Sequence, residues 1–145
     1  MTDIRRATPA DAPTMASLVV QLGYPTVAED VPPRMAAIEG EGGVTFVARD
    51  ESERIVGLAS GARVATLHDG HVAYITALVT AEEARGQGVG RALVAAVENW
   101  AREHGCTRLS VMSAEHRADA HAFYPRCGLP YSGRRFSRRI DAAAP

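Results

Sequence analysis

Residues 75–100 read ITALVTAEEARGQGVGRALVAAVENW. The stretch opens in apolar, β-branched residues, the pattern of a strand. Arg85-Gly86-Gln87-Gly88-Val89-Gly90 then interrupts it, and Val89, Leu93, Val97 and Trp100 recur at helical spacing on one face. A strand, a glycine turn and a helix in immediate succession make an anion site of the phosphate-cradling kind. The glycines let the backbone approach a ligand, and the first helical amides have no intrahelical acceptor and lie at the positive end of the dipole. Arg85 and Arg91 bracket the turn with guanidinium charge, which reinforces a preference for phosphate.

Upstream, the strand extends back through HVAYITALVT at 71–80, the strongest strand pattern in the chain. Before it, residues 44–49 and 54–65 are apolar runs separated by Asp50-Glu51-Ser52-Glu53, which reads as a hairpin. Residues 3–7 suggest a short first strand. Thr8-Pro9-Ala10-Asp11 reads as a helix start, with Thr8 as N-cap. Met15, Leu18, Val19 and Leu22 continue that helix to Gly23, and a weaker helix over 28–38 carries Pro32 and Pro33 early. Downstream, the helix from Val89 ends near His104-Gly105. Residues 107–112 suggest a strand, 117–124 a short helix, and 131–140 a final strand or strand pair. The order β-α-α-β-β-β-α-β-α-β predicts an α/β (α+β) fold, a mixed sheet covered by helices on both faces. With 145 residues the expectation is one domain over 1–140 and a frayed tail over 141–145.

Composition narrows the function. Apolar residues are 46% and charged residues 23%, enough to bury a core. Seventeen acids against sixteen bases give a net charge of -1, so no whole-molecule basic footprint points to nucleic acid. All the bases are arginine, and a P-loop, which needs a lysine, is excluded. A dinucleotide fingerprint fails too, because Gly86-x-Gly88-x-x-Arg91 lacks its third glycine. Cys106 and Cys127 make no C-x-x-C pair and fit a reduced cytosol, where they pack as small hydrophobes. The N-terminus carries no signal-peptide pattern, and no apolar run approaches the roughly 18 residues of a span. A soluble, cytoplasmic protein without membrane attachment is expected. His68-x-x-His71 and His116, His121 and Cys127 lack a complete zinc ligand set, so no metal is expected.

Arg85-x-x-Gly88-x-Gly90 resembles the R/Q-x-x-G-x-G/A pyrophosphate loop of the GNAT superfamily, the general-control-related N-acetyltransferases. Ala120-x-x-Phe123-Tyr124, followed by Gly128, is similar to a second block of that family. The two blocks are separated by a helix and a strand, as in the family, and the likeness extends over about residues 3–140. The resemblance implies a GNAT fold, with a mostly antiparallel sheet and a splayed strand pair, and it implies acetyl-CoA as cosubstrate. Carried over, the backbone of Arg85, Gly86, Gln87, Gly88, Val89, Gly90 and Arg91 would hold the pyrophosphate. Leu78, Val79 and Thr80 would pair with the pantetheine arm in the splay. Arg117 stands where many relatives carry an asparagine that contacts the cofactor.

The implied activity is N-acetyl transfer to a primary amine, with a small molecule favoured over a protein lysine. Such transfer needs an uncharged nucleophile, a donor for the developing oxyanion and a proton for the thiolate. A backbone N–H near Val79 would supply the donor. Tyr124 is the candidate general acid, since a phenol with a reference pKa of about 10 is protonated at neutral pH. Pro125 directly after it disfavours helical backbone at Tyr124, which would turn the ring away from its place in relatives. No carboxylate lies in 71–80, so His71 is the candidate base, with ordered water as the alternative. The acceptor surface is expected around 24–38, the loop at 68–71 and the C-terminal strands. A homodimer is common in the family, though no residue here demonstrates one. The contrasting reading is a non-catalytic CoA-binding module. Arg134, Arg135, Arg138 and Arg139, read on a strand, alternate between faces and suggest a solvated edge rather than an RNA patch.

Overall fold

A computed structural model describes residues 2–111, 118–133 and 136–139. Two contact-dense units divide the chain, Met1–Val111 and Met112–Pro145. In the first, β1 (Asp3–Arg6), β2 (Val44–Arg49), β3 (Ile55–Thr66), β4 (Gly70–Thr80) and β5 (Leu109–Val111) form one sheet in chain order. The first four strands run antiparallel and β5 joins β4 in parallel, the mixed, mostly antiparallel sheet that was expected. Three helices, α1 (Ala12–Leu22), α2 (Val31–Gly40) and α3 (Val89–Glu103), pack on it. Residues 56–61 of β3 are buried at both parities, so both faces of the sheet are covered. No helix among the described residues is long and apolar enough to cross a membrane.

The helix ends follow local chemistry. Thr8 is extended, and a 3-10 turn over Pro9–Asp11 leads into α1. The Asp11 carboxylate reaches back to the Thr8 N–H (2.8 Å) and accepts both prongs of the Arg5 guanidinium at 2.8 Å. Gly23 ends α1 at φ +115°. Pro32 and Pro33 lie in the first turn of α2, where their missing N–H has no helical acceptor to lose. In α3 the spacing holds: Val89, Leu93, Val97 and Trp100 are buried, with Val94 and Ala101 beside them. Gly57 and Gly61 of β3 make room for that stripe. A Cβ at Gly57 would lie 2.9 Å from Val89 Cγ1, and one at Gly61 would lie 3.0 Å from Val97 Cγ1.

The second unit contains α4 (Ala118–Arg126), which corrects the expectation at Pro125. The helix runs through Tyr124 and Pro125 rather than breaking there. Pro125 lies in the last turn, so it forfeits one helical bond only. Beyond it the chain closes a Schellman motif: Leu129 N–H donates to Tyr124 O (3.0 Å), Gly128 N–H to Pro125 O (3.0 Å), and Gly128 takes φ +84°. The final strand is also corrected. Residues 131–133 and 136–139 form no strand and are exposed. Tyr131 and Phe136 fall on opposite parities with arginines between them, so the segment has no continuous apolar face to bury. Arg134, Arg135, His116, Arg117 and the tail lie outside the described residues, and of His121 only its place in α4 is described.

Candidate active site

The site grows from an irregularity in β4. The β3–β4 register changes between Ser60↔Ala77 and Gly61↔Ile75, which leaves Thr76 as one extra residue on β4, a β-bulge. The Ser60 and Thr76 hydroxyls share a hydrogen bond at 2.7 Å across it, and Thr76 Oγ1 also approaches Ser60 O at 3.3 Å. Among the described residues, parallel pairing with β5 runs from Ala73↔Leu109 to Ile75↔Val111, and β4 continues past the bulge to Thr80.

The bulge also changes which backbone groups of β4 face β3. Before it, His71 and Ala73 face β5: Ala73 N–H donates to Arg108 O (2.8 Å) and Thr107 N–H donates to His71 O (2.9 Å). Arg108 Nε and Asp69 Oδ2, 2.9 Å apart, fasten β5 at this end. After it, Ala81 N–H donates to Val56 O (2.8 Å). Counted back along the register, Val79 exchanges its bonds with Leu58, while Leu78 and Thr80 turn their N–H and C=O groups away from β3. The register narrows the donor expected near Val79: the Val79 amide itself faces β3, and the amides turned away from β3 are those of Leu78 and Thr80. One of the outward groups is occupied. Gln21, in the last turn of α1, donates its Nε2 to Thr80 O at 2.7 Å. Sequence reasoning missed Gln21, because nothing local relates it to a strand 59 residues away.

A 3-10 turn over Glu82–Ala84 joins β4 to the glycine turn. Arg85 is extended, Gly86 and Gly88 take φ +80° and +83°, and Gly88 caps α3. Only residues without a Cβ adopt that backbone freely. Arg85, Gly86, Gln87, Gly88 and Arg91 are exposed, whereas Val89 is buried and pins the start of α3 on Gly57. The first amides of α3, from Val89, Gly90 and Arg91, thus lie at a helix N-terminus beside exposed arginines, an arrangement that suits a phosphate. Leu78 and Thr80 lie at the end of β4 that leads to the turn from Arg85 to Arg91. His71 lies at the far end of β4, seven residues before Leu78, roughly 23 Å along the strand. Tyr124 lies in the second unit, half-buried at the end of α4, edge-on to Phe123 with ring centroids 5.4 Å apart. An open groove of about 530 Å³ between α1 and the following loop is lined by Pro13, Ser17, Val20, Val27 and Glu29 among others.

A bulged central strand thus leads to a glycine turn at a helix N-terminus, in a mostly antiparallel sheet flanked by helices. Residues 15–129 match the acetyltransferase (GNAT) family. The aminoglycoside N(6')-acetyltransferase type 1 of Stenotrophomonas maltophilia is 32% identical over 133 residues, 87% of this chain and 84% of that protein. The crystal structure of a transcriptional regulator from Bacillus halodurans C-125 superposes with a TM-score of 0.83 at 25% identity, covering 97% of this chain and 100% of that one. Glucosamine-6-phosphate N-acetyltransferase from Arabidopsis thaliana superposes at 0.81 with 21% identity, covering 97% and 99%. The chain belongs to the acetyltransferase (GNAT) family and is an acetyl-CoA-dependent N-acetyltransferase.

Proposed function

We propose that the protein acetylates a primary amine of a small molecule of the aminoglycoside kind, holding acetyl-CoA along the backbone that the end of β4 turns away from β3. What supports this is the outward-facing backbone of Leu78 ahead of a glycine turn and helix N-terminus flanked by arginines: an amide and carbonyl for an amide-bearing arm, then a turn for a pyrophosphate. The Stenotrophomonas relative, which matches most of the chain, supports an aminoglycoside-type acceptor. The groove beside α1, with Glu29 on its lining, belongs to the proposed acceptor surface, where a carboxylate favours a cationic amine.

In this reading the uncharged amine attacks the thioester carbonyl carbon. The Leu78 N–H, the outward amide nearest the bulge, donates to the oxygen as it gains charge. The C–S bond breaks, and Tyr124 gives its phenolic proton to the departing sulfur, which leaves as the CoA thiol. Solvent water takes the proton lost by the amine, a role that the remoteness of His71 supports. The match over 15–129 spans both units and supports reading 1–140 as one functional domain. The free, half-buried Cys106 and Cys127 support a reducing, cytoplasmic setting. The test is release of CoA thiol across a panel of aminoglycosides, small diamines and a lysine peptide. Turnover is expected with an aminoglycoside and not with the peptide. Tyr124→Phe should lower kcat about 100-fold or more with acetyl-CoA affinity nearly unchanged. Saturable acetyl-CoA binding with no turnover on any amine would overturn the enzymatic acceptor reading in favour of a CoA-binding module.

A further inference from the structure

We propose that a buried water molecule is bound between Thr45 of β2 and Ser60 of β3, completing a row of hydroxyls that crosses three strands to the bulge at Thr76. Thr45 and Ser60 are register partners, and both are buried, at 4% and 6% exposure. Ala7 N–H donates to Thr45 O (2.9 Å), so the Thr45 backbone faces β1. Its pair with Ser60 is therefore of the non-hydrogen-bonded kind, in which the side chains stand closest. Gly57 and Gly61 mark the face of β3 beneath α3, which puts Ser60 and Thr45 on the opposite face, the one that α1 and α2 cover.

The three hydroxyl protons do not find three acceptors among themselves. The Ser60 and Thr76 pair can place both of its own, with Ser60 Oγ donating to Thr76 Oγ1 at 2.7 Å and Thr76 Oγ1 donating to Ser60 O at 3.3 Å. Thr45 Oγ1 is sealed from solvent and has no partner among the described residues. A buried hydroxyl without a partner forfeits the bonds that water gives it in the unfolded chain. In this arrangement Ser60 Oγ keeps a lone pair free, yet no direct bond joins it to Thr45. One water supplies what both lack, accepting the Thr45 proton and donating to Ser60 Oγ. Two bonds of about 2.8 Å meeting at a water join hydroxyls roughly 4.5 Å apart, close to the spacing of directly opposed side chains in such a pair. The neighbours of Ser60 on that face, Ala62 along β3 and Ala77 across on β4, are small and take up little of the space around it. Thr76 is exposed, so the row opens to solvent at the bulge. The water ties β2 to the pair that holds the bulge, which is then anchored on two strands rather than one.

The water site does not depend on where acetyl-CoA binds or on which amine is acetylated. Its alternatives are a direct bond to Ser60 after rotation of the Thr45 side chain, and a dry, unpaired hydroxyl. Crystal structures of the full chain that resolve ordered water, for wild type and Thr45→Val, separate them. Wild type should show one ordered water within about 3 Å of both Thr45 Oγ1 and Ser60 Oγ. Thr45→Val keeps the shape of the side chain and should lose that water, while the bond between Ser60 and Thr76 stays. A dry site in wild type, a Thr45 Oγ1 bonded directly to Ser60 Oγ, or a water that persists unchanged in Thr45→Val would each overturn the proposal.

Discussion

At the scale of single residues, Asp11 shows how one carboxylate is held by several partners. It is 9% exposed, accepts two bonds from Arg5 and one from the Thr8 amide, and so fixes the entry to α1 against the first strand. The Arg5 hydrogen bonds hold its carboxyl below the ordinary value, against an opposing upward push from burial. The folded pKa therefore lies below the unfolded one. The stability it contributes is fully present above the unfolded carboxylate pKa, about 4, and is lost as pH falls through the folded pKa. Asp11→Asn keeps the shape and one acceptor but discards the charge. It should cost about 1–3 kcal/mol at pH 7 in urea unfolding. The gap from wild type should shrink below pH 4, and a gap that stayed constant down to pH 2 would show that the charge does not matter.

At the scale of elements, the position of α3 is set by what β3 lacks. The helix stripe was legible in sequence, since Val89, Leu93, Val97 and Trp100 state their own period. Its counterpart was not, because Gly57 and Gly61 read as neutral interruptions of a strand until a helix is packed against them. Gly57→Ala would bring a Cβ to 2.9 Å from Val89 Cγ1, 3.0 Å from Leu93 Cδ1 and 3.1 Å from Val79 O, the last of which is backbone and cannot turn away. Overpacking of this kind costs about 1–3 kcal/mol. Val89 also begins the anion-binding turn, so a shift of α3 should weaken acetyl-CoA binding as well as lower the unfolding midpoint. Gly40→Ala, with nothing within 4 Å of the new Cβ at the end of α2, serves as the control and should do neither. The bulge at Thr76 was hidden for a related reason. A bulge is a relation between two strands, and β4 alone reads as an unbroken run. The misjudged elements, the final strand where it is described at 131–133 and 136–139 and the helix break at Pro125, were those in which local propensity was weighed without a packing partner or a helix end in view.

At the scale of the whole molecule, a net charge of -1 gives no long-range attraction for an anionic cosubstrate, so in the proposed mode the binding energy comes from local contacts with β4 and the start of α3. Two consequences follow from the same balance. A ligand that binds the folded chain alone stabilises it, and acetyl-CoA at a hundred times its Kd should add about 2.7 kcal/mol. For a chain of this size that is a rise of roughly 8 °C in unfolding midpoint. The part of the affinity owed to Arg85, Arg91 and the helix start is electrostatic and exposed, hence screened: the Debye length is about 10 Å at 0.1 M salt and about 3 Å at 1 M. The midpoint shift should therefore shrink as salt is raised, provided it is compared with the ligand-free chain at each salt concentration. Arg85→Met should flatten that dependence while leaving the edge contacts of Leu78 intact. A shift indifferent to salt in wild type would mean that the arm on β4, rather than the phosphates at α3, supplies nearly all of the binding.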